Sequence, residues 1–146
     1  MPDAKIVNDD KKVNELLNQT KAFTRDEFSK LLFKCHNIIR NNDKLSPEAA
    51  FDEISKVLFI KIRYERSNDE GQIFSKDRFE ENRKKFEILN KEMGVKDAKP
   101  FYQQLFEKTK EDFKDDDLFE ATEILRIREN SFEAIVEELQ IYNLST

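Results

Sequence analysis

A chain of 146 residues with 38% apolar and 39% charged side chains makes one domain with a real core, and leaves no room for a second, catalytic one. Thirteen Phe exclude a disordered composition, the longest apolar run, Val57-Leu58-Phe59-Ile60, excludes a membrane span, and the single Cys35 excludes an internal disulfide. The net charge of −5 disfavours nucleic acid taken alone, but residues 30–66 hold eight Lys/Arg against five Asp/Glu whereas residues 107–139 hold five against twelve, so one part of the chain could face phosphate.

Two Gly and three Pro leave little turn chemistry for hairpins, so the composition predicts an all-α fold, a helical bundle of about five to seven helices. Residues 1–23 read as a lead-in and a first helix from about Asp10 to Ala22, with Val13, Leu16 and Leu17 at helical spacing. The start of the chain has no apolar core of a signal peptide, and a lone Cys fits a reducing, cytoplasmic setting. Thr24 with Glu27 forms a capping box that opens a helix carrying Phe28, Leu31, Leu32, Cys35, Ile38 and Ile39 on one stripe. Ser46 then caps a second helix with Pro47 at its first position and Glu48 in its first turn. Phe51, Ile54, Leu58 and Ile62 line this helix, and Val57, Phe59 and Ile60 widen the stripe until it is nearly all buried. Residues 57–64 are also rich enough in β-branched and aromatic side chains for a strand, but length and Ala49-Ala50 favour helix. Residues 67–75 form a polar loop, and further helices are predicted over about 76–93, 100–114, 117–128 and 132–142, the last capped by Ser131.

The segment Leu31-Leu32-Phe33-Lys34, followed by Ile38-Ile39-Arg40, the polar turn Asn41-Asn42-Asp43-Lys44, and Ser46-Pro47-Glu48-Ala49-Ala50-Phe51-Asp52-Glu53 with its apolar continuation, resembles the N-terminal helical domain of N6-adenine DNA methyltransferases. These are the modification subunits of type I restriction-modification systems. The resemblance covers residues 25–66 well and the ending Leu139-Gln140-Ile141-Tyr142-Asn143-Leu144-Ser145-Thr146 fairly; the middle matches only in its helical character. It implies a helical domain over 24–142, with 143–146 starting a connector to an absent catalytic domain. It also implies a non-catalytic role: bracing the methylase core and contacting DNA weakly and without sequence preference, while specificity and restriction subunits complete the complex. The parent enzyme would use S-adenosylmethionine. The same domain could instead link a nuclease or translocase to a methylase in a fused polypeptide, or stand free as a protein-binding adaptor.

No cofactor is expected in this chain. A methyltransferase needs a glycine-rich turn for S-adenosylmethionine and an Asn/Asp-Pro-Pro-aromatic loop for the flipped adenine, and neither is present. Phosphate-binding loops, paired metal ligands and a nucleophile with its base are absent from the sequence too, so no catalytic or metal residue is assigned. Cys35 and His36 point about 100° apart on a helix and form no dyad. The candidate DNA contacts are Lys34, Arg40, Asn41, Asn42 and Lys44 around the first turn, with Lys61, Arg63 and Arg66 as a possible extension. Basic groups at a helix C-terminus also simply suit its dipole. Phe33 and His36, off the core stripe, are candidates for docking a partner or for cover by another helix. The acidic run from Glu107 to Asp117 reads as a solvated face.

Overall fold

The computed structural model describes residues 25–67 and 74–140, and over these the chain is all-α. Five α-helices occur among the described residues: α1 (Arg25–Asn42), α2 (Pro47–Ser67), α3 (Lys76–Glu92), α4 (Phe101–Asp112) and α5 (Glu129–Leu139), with a 3-10 turn at Lys114–Asp116. The expected helix over 10–22, the Thr24 cap and residues 141–146 lie outside the described residues, as does most of the 67–75 loop.

α2 is the axis of the bundle, packed against α1, α4 and α5, while α3 rests on α4 and α5. The strand alternative for 57–64 is overturned, because the segment continues α2 to Ser67. Ser46 caps α2 through its Oγ, which accepts from the Ala49 amide at 3.2 Å, and Ala49 and Ala50 are buried. Ile54, Val57, Leu58, Phe59, Ile60 and Ile62 are all closed to solvent, as expected of a helix apolar nearly all round. Phe28, Leu31, Cys35 and Ile39 supply the core face of α1. Aromatic rings fill the remaining volume: Phe79 meets Phe74, Phe101 and Phe132, and Phe59 meets Phe113 and Phe119 edge-on at 5.0 and 5.5 Å.

Two expectations are corrected. Residues 117–128 are not a helix but an irregular strap crossing α2 and α4. Its apolar Leu118, Leu125 and Ile127 are buried, yet its backbone is held by side chains of the helices beneath. Glu53 accepts from the amides of Arg126 and Ile127, Gln103 exchanges two bonds with Leu125 at 2.7 and 2.9 Å, and Lys110 donates to the carbonyls of Ala121 and Glu123. These long-range partners satisfy groups that would otherwise demand a helix. Ser131 is not the cap of the last helix either: α5 begins at Glu129, and Ser131 is buried inside it.

Candidate nucleic-acid and partner surface

At the end of α1 the amides of Asp43 and Lys44 both donate to the Ile39 carbonyl, and Lys44 adopts the left-handed conformation with φ 54. The turn is not free. The Asp43 carboxylate, only 4% exposed, accepts from the Arg128 amide at 3.1 Å and from the Ser131 hydroxyl at 2.5 Å. Arg128 is the first residue of α5's approach and has no side-chain cap of its own, so Asp43 supplies one from across the fold and places an anion at the positive end of α5. The polar turn is therefore locked to α5.

Arg40, Asn41, Asn42 and Lys44 are exposed around this locked turn, and Lys34 is exposed about two turns earlier on α1. Arg128, whose guanidinium lies 3.9 Å from Asp43 and is exposed, joins them. Sequence reasoning missed Asp43, Ser131 and Arg128 because the residues that meet stand 85 and 88 positions apart and carry no local motif.

The second basic group does not extend this surface. Lys61 is wholly buried; its ammonium meets the Glu65 carboxylate at 2.5 Å and donates to the Phe74 carbonyl at 3.3 Å, while Glu65 accepts from the Phe74 amide at 3.2 Å. The pair brackets both backbone polar groups of Phe74, and burial pulls the Lys61 ammonium below its ordinary range despite Glu65. Lys61 is accordingly a structural residue. Arg63 is ion-paired with Asp112 at 2.7 Å, tying α2 to the end of α4. Arg66 is exposed but stands at the far end of α2, roughly 30 Å along the helix axis from Pro47.

Phe33 is 69% exposed, so no described helix covers it. It borders a cleft of about 270 Å³ between α1 and the start of α2, together with His36, Asn37, Arg40, Leu45 and Pro47. Partial burial lowers the His36 pKa from its ordinary value, so the ring is neutral at neutral pH and offers the cleft hydrogen-bonding nitrogens rather than charge.

The polar residues inside α2 also serve the structure. Lys56 bonds Glu53 at 2.6 Å and the Ile124 carbonyl at 3.0 Å, with Asp52 and Glu123 nearby, and its ammonium lies over the Phe106 ring. Burial removes Lys56 and Lys61 together with Glu53 and Glu65, two charges of each sign, so the positive balance of residues 30–66 survives on the surface. Among the described residues no group of three or more His, Cys, Asp or Glu is placed to hold a metal, and no helix is long and apolar enough to cross a membrane. No family model, curated protein or solved structure matches the chain.

Proposed function

We propose that this chain is a non-catalytic helical domain of a type I-like N6-adenine DNA methylase, which braces the catalytic part and contacts the DNA backbone through the α1–α2 turn. The observation that carries the reading is the exposed basic turn held rigid by Asp43. Asp43 ties Arg128 to the turn that Arg40 and Lys44 flank in the chain, and exposed charge without base-reading geometry suits phosphate. The residues that carry the resemblance to the methylase domain fall mostly in the frame of α2: the Ser46 cap, the small Ala49-Ala50 pair and Glu53 beneath the strap. They support the fold expected of that domain more directly than its activity.

The exposed Phe33 and its cleft favour a second role for the same region, as the surface that receives the catalytic domain or a neighbouring subunit. Titration of labelled duplexes of unrelated sequence distinguishes the two. Arg40→Ala, Lys44→Gly and Arg128→Ala, combined, should weaken every duplex about equally and lower the salt slope by roughly two to three phosphate contacts. Glycine is chosen at Lys44 because it accepts the left-handed backbone. Unchanged affinity and slope would remove DNA from this turn and leave the docking role, which Phe33→Asp would then abolish.

A further inference from the structure

Four side chains of α1 share the cleft beside the basic turn. Phe33, His36, Asn37 and Arg40 stand at i, i+3, i+4 and i+7, within about 100° of arc on one face of the helix. All four border the cleft of about 270 Å³ that Leu45 and Pro47 face from the start of α2. Their polar ends are unused: the His36 imidazole, the Asn37 amide and the Arg40 guanidinium make no hydrogen bond or ion pair with any described residue. The Phe33 ring, 69% exposed, meets no other described ring.

The charge here is positive. Residues 30–47 hold four Lys/Arg against one acid, Asp43, whose carboxylate is turned inward to Arg128 and Ser131; Glu27 and Glu48 stand just outside this stretch. No acid is among the described residues that line the cleft. The volume lies below the roughly 300–1,000 Å³ of pockets that take in a whole small molecule, so it suits one ring system of a larger ligand. An amide and a neutral imidazole both donate and accept, as the edge of a nucleobase does, an exposed aromatic ring offers a face for stacking, and a guanidinium suits phosphate. Arg40 stands about 10 Å along the helix axis from Phe33, within reach of the phosphate adjoining a base stacked there.

We infer that this cleft takes one unpaired base of a single DNA strand: the base stacks on Phe33, its edge bonds Asn37 and His36, and the adjoining phosphate meets Arg40. The inference builds on the reading of the α1–α2 turn as a DNA contact and names the form of DNA that the cleft selects. A paired duplex exposes only base edges in its grooves and leaves the Phe33 ring without a partner. An apolar anchor from a protein would strip water from Asn37, His36 and Arg40 and return no hydrogen bonds.

The chain contains no Trp, so Phe33→Trp in the full chain installs a single indole at the site, whose fluorescence is quenched when it stacks on a base. It is titrated with a thymidine oligomer of about 12 nucleotides, the same phosphate backbone without bases, a fully paired duplex and a uridine oligomer, at about 50 mM salt. The thymidine oligomer should quench the indole saturably and bind at least about fivefold tighter than the baseless strand, while the duplex leaves the indole unquenched. Without the indole, Phe33→Leu, which keeps apolar bulk but removes the ring, and Asn37→Ala should each weaken single-strand binding about five- to tenfold. Neither should move the melting temperature, since both side chains are exposed. No saturable quenching, equal affinity for the baseless strand, full affinity of Phe33→Leu, or tighter binding of the uridine oligomer would overturn the inference. The turn reading fails separately: duplex binding indifferent to Arg40→Ala, Lys44→Gly and Arg128→Ala, with quenching by the single strand intact, removes the turn contact and leaves the cleft.

Discussion

Burial and the nearby Glu138 carboxylate push the Cys35 thiol up to about 12, leaving almost no thiolate at neutral pH. Iodoacetamide should therefore leave the native protein unmodified and label it readily in denaturing urea; labelling of the native state at the unfolded rate would mean that α1 opens locally. The neighbouring His36 works on stability in the opposite direction to a paired histidine. Its folded pKa lies below the unfolded value, so the unfolded chain takes up the proton first as pH falls. Its effect is absent above about pH 6.5 and destabilising below it. His36→Gln should accordingly show a smaller fall in urea midpoint between about pH 7.5 and 5.5 than the parent. Asp43 is the residue on which the candidate surface depends. Asp43→Ala removes a helix cap and two hydrogen bonds to a carboxylate, and should cost about 1–2 kcal/mol in urea unfolding. Asp43→Asn should recover part of that.

At the scale of elements, α2 is legible because its signals are local: Ser46 and Pro47 mark its start, and apolar positions at helical spacing from Phe51 to Ile62, widened by Val57, Phe59 and Ile60, mark its burial. Truncating Ile54 or Leu58 to Ala should cost about 2–5 kcal/mol by lost transfer energy and a residual cavity. Variants melting within a degree or two of the parent would show that α2 is not the central helix. Lys61 was the side chain most easily misread, since a lysine next to Arg63 and Arg66 has the sequence appearance of a basic face. Its partner Glu65 lies one turn on, a spacing equally common on exposed helices, and only the return of the chain at Phe74 closes the pair from water. Lys61→Ala leaves Glu65 buried without its cation and should destabilise by about 3–5 kcal/mol, far more than any loss on an exposed contact residue. The strap over 117–128 was illegible for a related reason. Leu118 and Leu125 stand seven apart, a spacing a helix could use, but the groups that hold the strap, Glu53, Gln103 and Lys110, come from other helices.

Across the whole molecule the charge is divided: a positive balance surrounds the α1–α2 turn, and a strongly negative one runs through α4, the strap and α5. A duplex approaching the turn meets a local attraction within a repulsive total field, so the isolated chain should bind on the order of 10⁻⁴ M or more weakly at physiological salt. The two contributions separate by their range. Contacts at the turn act at touching distance, whereas the acidic run Asp115-Asp116-Asp117 in and beside the 3-10 turn acts through solvent and is screened beyond about 8 Å at physiological ionic strength. Replacing all three by Asn takes the net charge from −5 to −2, three negative charges fewer, and Asn tolerates the left-handed backbone at 117. At low salt the variant should bind duplex DNA several-fold more tightly than the parent, and at about 0.15 M the difference should fall below about twofold. A gain that persists at high salt would place the acidic run in direct contact with the duplex, and the DNA would then have to lie on the opposite part of the charge pattern from the turn proposed for it.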